Sequence, residues 1–181
     1  MTNKNDLRVL KTKRSIREAF IEMLCEMDYE EITVKELTAR AMINRKTFYA
    51  HYDSLDNLLE ELQHETAQKF IERTKNMKRP RDIDKVTREF FIFSEELGKL
   101  GEKLNSSDTH LREKIQHEIM TQTWEKKLSK PDDIFFQNVI TSFVAQGTLA
   151  IYRQWTADGK KIPLEDIINL ATDLICHGIS E

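Results

Sequence analysis

One rhythm governs this chain: apolar residues return every three or four positions, and little interrupts them. Ile16, Ala19, Phe20, Met23, Leu24 and Met27 show it first, a spacing that lines one face of an α-helix and no face of a strand. Only 5 glycines and 3 prolines punctuate 181 residues. No run of alternating Val, Ile or Thr stands between turn signals. The expected fold class is therefore all-α.

Composition narrows the function classes. With 39% apolar and 33% charged residues the chain has an ordinary globular make-up. The opening MTNKNDLRVLKTKRS carries cations with no apolar stretch behind them, and no apolar run approaches the roughly 18 residues of a membrane span. A cytoplasmic protein without membrane attachment is expected. Cys25 and Cys176 sit in helical apolar patterns without a Cys or His at metal-ligand spacing, and are expected to be reduced core thiols. The five histidines are scattered, and no Gly-rich phosphate loop, H-E-x-x-H or G-x-S-x-G occurs. No catalytic residue, metal site or cofactor is expected.

The net charge of −3 conceals an asymmetry: residues 1–52 hold 10 Lys and Arg against 8 Asp and Glu, whereas 53–181 hold 18 against 23. Lys4, Arg8, Lys11, Lys13, Arg14 and Arg17 crowd the first 17 residues. A basic approach of this kind suits phosphate contact.

Short helices with legible caps come next along the chain. The first helix is expected from Leu10 to about Met27, and DYEEIT then interrupts it. Thr33 and Glu36 form a T-x-x-E capping box, in which each side chain is expected to satisfy the other's free backbone N–H. The helix VKELTARA comes after it, burying Val34, Leu37 and Ala41. Asn44 is the N-cap of a third helix whose Phe48 and Tyr52 share one face, leaving Arg45, Lys46, Thr47, Tyr49 and His51 on the others. Ser54 caps a fourth. Two short helices with a tight connection read as helix-turn-helix, whose second helix enters the DNA major groove. There Arg45 and Lys46 would meet guanine O6/N7 or phosphate. The Thr47 and Tyr49 hydroxyls would donate to phosphate oxygens, with His51 one further donor. Lys13 and Thr33 complete the expected DNA-binding set.

The stretch from LKTKRSIREAFIEML through ITVKELTARAMINRKTFYAHYDSLDNLLEEL resembles the DNA-binding domain of TetR-type (tetracycline-repressor-like, TetR/AcrR) bacterial transcription regulators. Their pattern ITV..IA..AGVS..TFY.HF.SKE.LL is matched at Ile32 to Val34, Ala41, Ile43, Thr47–Phe48–Tyr49, His51–Tyr52, Ser54 and Leu58–Leu59. The resemblance implies an N-terminal three-helix DNA-binding domain over residues 1–55 and a C-terminal helical effector-binding and dimerisation domain over 56–181. It implies a homodimer on palindromic double-stranded operator DNA, acting as a repressor that a small-molecule effector releases. Two positions depart from the pattern. Met42 replaces the turn glycine, and left-handed geometry there would cost about 1–2 kcal/mol, so a differently shaped turn is expected. Leu55 replaces a lysine that contacts phosphate in the family; the basic N-terminal arm, reaching a minor groove, would compensate. These departures leave a second reading, a co-regulator of the same fold that acts through a protein partner with weak or no direct DNA binding.

Beyond Leu62 helices are expected to about Met77 and over 83–104, 109–128, 133–157 and 164–178. KRPRD, SKPDD and DGKKIP supply three of the breaks. The segment IFFQNVITSFVAQGTLAIYRQW is apolar on nearly every face, more than one chain's core easily covers. The last two helices are therefore expected to meet their symmetry mates in a four-helix bundle, the TetR-type mode of dimerisation, through Phe143, Gly147, Ile151, Ile168, Leu174 and Ile175. The resemblance also implies an effector pocket among the middle helices, for which Phe90, Phe93, His117, Met120 and Trp124 are the candidates.

Overall fold

The computed structural model describes residues 4–78, 81–106, 109–124 and 131–178. Among the described residues there is no strand. The helices run α1 (Lys4–Glu26), α2 (Val34–Arg40), α3 (Arg45–Tyr49), α4 (Leu55–Thr74), α5 (Ile83–Glu96), α6 (Lys99–Leu104), α7 (Thr109–Trp124), α8 (Pro131–Ala157) and α9 (Leu164–His177), with one 3-10 turn at Tyr29–Glu31. The chain divides into two compact units, the first ending at Leu62 and the second beginning at Gln63.

In the first unit, α1 starts at Lys4, six residues ahead of the expected Leu10. Nothing between them breaks a helix, and Lys, Arg and Leu favour one. The basic segment is thus the opening of α1 and not an extended arm. Ile16, Phe20, Met23 and Leu24 of α1 are buried together with Leu37, Phe48 and Tyr52. Leu58, Leu59 and Leu62 are also buried, which is why this unit ends inside α4 and not at residue 55. Two polar ties fasten the start of α4: the Tyr29 hydroxyl donates to Asp56, and the Tyr52 hydroxyl donates to Glu61 at 2.9 Å.

In this unit α2, α3 and α4 are capped where the sequence placed their caps. The Thr33 hydroxyl accepts from Glu36 N–H at 3.2 Å, and Asn44 Oδ1 accepts from Thr47 N–H at 2.8 Å. Ser54 accepts from Asn57 N–H at 3.0 Å. The reciprocal half of the expected box takes another form, since the Glu36 carboxylate accepts from the Thr33 hydroxyl at 2.7 Å. The turn after α2 keeps left-handed geometry despite its side chain, with Met42 at φ +54°. Met42 N–H donates to Ala39 C=O at 3.2 Å and Ile43 N–H to Thr38 C=O at 3.0 Å. Those two bonds are the Schellman pattern, in which the residue after the C-cap turns left-handed. The expected change of turn shape does not occur: Met42 takes the left-handed geometry itself, with its side chain 93% exposed.

In the second unit, Phe91, Tyr152, Trp155, Ile167, Ile168 and Ala171 form the core, bringing α5, α8 and α9 together. The rings meet edge-on, Phe91 to Tyr152 at 5.6 Å and Tyr152 to Trp155 at 5.9 Å. Trp155 Nε1–H donates to Ile162 C=O at 2.7 Å, so the indole is buried without losing its hydrogen bond. Above this core Glu95 accepts from the Tyr152 hydroxyl at 2.9 Å and from Lys160 at 2.8 Å. The span 83–104, expected as one helix, is two. Gly98 breaks it at φ +57°, and Gly101 then lets α6 press against Ser94 of α5. α4 ends at Thr74, short of the expected Met77, and the expected helix residues 125–128 lie outside the described residues. Cys25 is half-buried but Cys176 is exposed, so the second thiol is not in the core.

Candidate nucleic-acid interface and interior cavity

The α3 face is built from its cap outward. Asn44 fixes the first turn, and Phe48, wholly buried, fixes the helix to its unit, leaving Arg45 and Lys46 exposed at the helix N-terminus. Tyr49 is 55% exposed, its ring held edge-on against Phe48 at 5.3 Å. His51 is half-buried just beyond the helix, and Thr33 is exposed at the start of α2. Arg45, Lys46 and Tyr49 thus lie exposed on α3, with Thr47 and His51 partly buried on it or just past its end and Thr33 at the neighbouring cap.

Hydrogen bonding sorts these residues further. The Thr47 hydroxyl donates to Asn44 Oδ1 at 3.0 Å and the Thr33 hydroxyl to Glu36 at 2.7 Å. Both must turn away from these acceptors to donate to a phosphate. Lys13 is not a free cation. Its Nζ lies 3.0 Å from Glu61 Oε2 and 5.0 Å above the Tyr52 ring, so its charge is engaged inside the unit. To meet a phosphate it would have to leave that partner. Arg14 is likewise paired with Glu18 at 2.7 Å and Arg40 with Glu26 at 2.7 Å. Among the described side chains of this unit, Arg8, Lys11, Lys35, Arg45 and Lys46 carry cations that no carboxylate neutralises. The start of α3 is therefore wholly cationic, although other cations of the unit are paired.

The second unit encloses a cavity of about 120 Å³. Phe90, Phe93 and Met120, three of the expected pocket residues, line it. His117 does not: it is exposed and outside the cavity wall, to which Arg112, Gln116 and Met120 of the same helix belong. The Trp124 side chain lies outside the described residues. Sequence reasoning missed the polar lining residues, Thr87, Arg112 and Thr148 among them, because in one dimension they read as ordinary solvated positions of amphipathic helices.

The expected dimer residues fall in two groups. Phe143 is 59% exposed and continues an apolar face with Phe135, Phe136, Val139 and Ile140 of α8, all exposed. Leu174 is half-buried. Ile168, by contrast, is 1% exposed and belongs to the core, with Ile151 packed against it, so Ile168 is corrected from interface to core. Gly147 and Ile175 meet each other within the chain: a Cβ at Gly147 would lie 2.9 Å from Ile175 Cδ1. The glycine's close approach is thus already used between α8 and α9.

No helix among the described residues is long and apolar enough to cross a membrane. Among them no group of His, Cys, Asp and Glu is arranged to hold a metal.

No protein-family model matches the chain. Over 56 residues, 30% of its length, it is 39% identical to the uncharacterized HTH-type transcriptional regulator YxbF of Bacillus subtilis, and the match spans 15% of that relative. Its fold is similar to that of a TetR transcriptional regulator from Streptococcus agalactiae, with a TM-score of 0.67 at 23% identity over 94% of this chain and 97% of that one. It is also similar to FadR from Bacillus subtilis in complex with stearoyl-CoA, with a TM-score of 0.65 at 20% identity over 92% of this chain and 99% of that one.

Proposed function

From the premise that the chain has the TetR-type regulator fold, we propose that it is a homodimeric transcriptional repressor that binds a palindromic operator in the cytoplasm and is released by a small-molecule effector. The observation that carries this reading is the start of α3: two unneutralised, exposed cations, Arg45 and Lys46, on a helix pinned by the Asn44 cap and the buried Phe48. A recognition helix needs just that combination, rigid behind and cationic in front. Tyr49 and His51, beside it, suit phosphate oxygens. The second chain of the dimer would cover the exposed apolar face of α8, since a contiguous bare apolar patch of this kind marks an interaction site. FadR from Bacillus subtilis is in complex with stearoyl-CoA, and the cavity of this chain's second unit gives an effector somewhere to go. The co-regulator reading drew on Met42 and Leu55. With the turn kept in its Schellman geometry, only Leu55 favours it.

Titration of the purified protein against DNA from its own promoter, at two salt concentrations, tests the proposal. With about four phosphate contacts per protomer, counterion release gives a log–log salt slope near −7. Arg45→Ala should lose about 1–3 kcal/mol of operator affinity and relax one base position. Unchanged affinity in a folded Arg45→Ala protein would remove α3 from the groove, and absence of any sequence-specific binding would favour the co-regulator.

A further inference from the structure

In the second unit a half-buried charge, its Nε wholly enclosed, stands without a counter-charge. Arg112 of α7 projects into the cavity, its guanidinium 5.8 Å from the centroid of the Phe90 ring. One terminal nitrogen donates to Asn105 Oδ1, but the buried Nε has no acceptor, and no carboxylate among the described residues pairs with the group. Its charged neighbour is another cation, Arg153, whose Nε is engaged by the Asn105 carbonyl at 2.7 Å. Burial first, and Arg153 second, push the Arg112 pKa down to about 10. Two hydroxyls in the same wall, Thr87 and Thr148, are 1% and 5% exposed and also lack a partner.

Unsatisfied buried polar atoms are uncommon, and an unpaired buried cation is the costliest of them. Here three converge on one space whose remaining lining is mainly Phe, Ile, Val, Leu and Met. A ligand that suits these walls has an apolar body and a single anionic end. Arg112 is the guanidinium in the cavity wall, Arg153 being outside the lining and held by the Asn105 and Ser106 carbonyls, so one negative charge balances it and a carboxylate fits where a doubly charged phosphate would bring an excess charge into apolar surroundings. Size sets the body: a cavity of about 150 Å³ takes up benzene, so a space of 120 Å³ with an open side suits about six to eight carbons.

We propose that this cavity binds a compact monocarboxylate whose carboxylate pairs with Arg112 and accepts from Thr87 and Thr148, its apolar body lying against Phe90, Phe93 and Met120. The assignment deepens the effector reading above and rests on it for its regulatory consequence, while the binding itself does not depend on DNA.

Calorimetric titration of the full-length protein with benzoate and hexanoate, against benzyl alcohol and 1-hexanol as neutral counterparts, tests it. At least one acid should bind tenfold or more tightly than its alcohol, and acetate, which has the charge without the body, should bind far more weakly. Arg112→Met should abolish the preference for acid over alcohol, while Arg112→Lys keeps part of it. If Arg112→Met fails to fold, Thr87→Val and Thr148→Val serve instead, each expected to weaken the acid several-fold and leave the alcohol unchanged. Alcohols that match their acids, acids that do not bind, or an acid preference that survives Arg112→Met would overturn the proposal. Operator titration with and without the acid is read separately. An acid that binds but leaves operator affinity unmoved supports the cavity assignment and defeats the effector reading; one that binds a protein with no operator affinity supports the cavity and defeats the regulator reading.

Discussion

Lys13 of α1 and Glu61 of α4 hold each other across the first unit, Nζ 3.0 Å from Oε2, with the Tyr52 hydroxyl on the other carboxylate oxygen at 2.9 Å. A cation so placed should contribute more to folding than to DNA binding. Because both side chains are more than a third exposed or close to it, screening limits the pair, and Lys13→Ala should cost about 0.5–1 kcal/mol of stability. Operator affinity should change less than in Lys11→Ala, which removes an unpaired cation. Denaturant melts and operator titrations of both variants check this; a Lys13→Ala protein with full stability and weakened DNA binding would restore Lys13 to the interface.

The same pair sets an acid limb. Burial pushes the Glu61 carboxyl up, but hydrogen bonds from Lys13 and Tyr52 outweigh it, and the pKa falls below the ordinary 4.5. A carboxyl with a folded-state pKa below its unfolded value gives stability that is present above the unfolded pKa and is lost as pH falls through the folded one. Wild type should therefore lose stability relative to Glu61→Gln between about pH 5 and pH 3. Melts of the two proteins at pH 6 and pH 3.5 read this directly, and a gap that does not narrow in acid would contradict it.

How much of this was legible in the sequence depends on the range of each interaction. The caps at Thr33, Asn44 and Ser54 are local, set by residues three apart, and the sequence shows them. Phe48 and Tyr52, one turn apart on the buried face, are equally plain. Lys13 looks like any other cation of α1, because the residue that claims it lies 48 positions away. Arg112 is hidden for the same reason: it sits beside the apolar rhythm of α7 at one remove, and only the packing of α5 and α8 encloses it. Ile168 and Leu170 are both apolar residues of α9, yet one is 1% and the other 46% exposed. Amphipathicity gives a buried face, but not whether the same chain or a second one buries it.

Met42 carries a strain that glycine would remove. Left-handed geometry costs an L-residue about 1–2 kcal/mol, whereas glycine costs about 0.4–1 kcal/mol in extra freedom of the unfolded chain. The strain is the larger, and the Met42 side chain, 93% exposed, gives up no packing. Met42→Gly should therefore stabilise the protein by about 0.5–1 kcal/mol, and Met42→Val should destabilise it, since β-branching worsens the same clash. Thermal melts rank the three; a less stable glycine variant would place the strain elsewhere.

Two substitutions separate interface from core. Phe143→Asp puts a charge on a side chain 59% exposed in the protomer, so folding should survive while dimerisation is lost. Ile168→Asp puts one among Phe91, Tyr152 and Trp155, and the second unit should not fold. Sedimentation and circular dichroism distinguish them. A wild-type protein that is monomeric at micromolar concentration, or a Phe143→Asp protein that remains a dimer, would move the contact off this face.

Gly101 is where the least addition should do the most harm. A Cβ there would stand 2.0 Å from the Ser94 carbonyl oxygen and 3.1 Å from Leu97 Cβ, so backbone and not a pliable side chain blocks it. Alanine gains about 1 kcal/mol of helix propensity over glycine, but overpacking of this kind costs about 1–3 kcal/mol, and a contact so short lies at the upper end. Gly101→Ala should thus destabilise the second unit. Relief requires α6 to move off α5, and Asn105 moves with it, losing its 3.1 Å bond to Ser94 Oγ and with it the support of Arg112. Carboxylate affinity should therefore fall in Gly101→Ala even where the protein remains folded. Gly98→Ala makes the control: it too is strained, at φ +57°, but a Cβ there has open space, so its cost should be in stability alone. Equal carboxylate affinity in the two variants would show that the α5–α6 contact does not hold Arg112 in place.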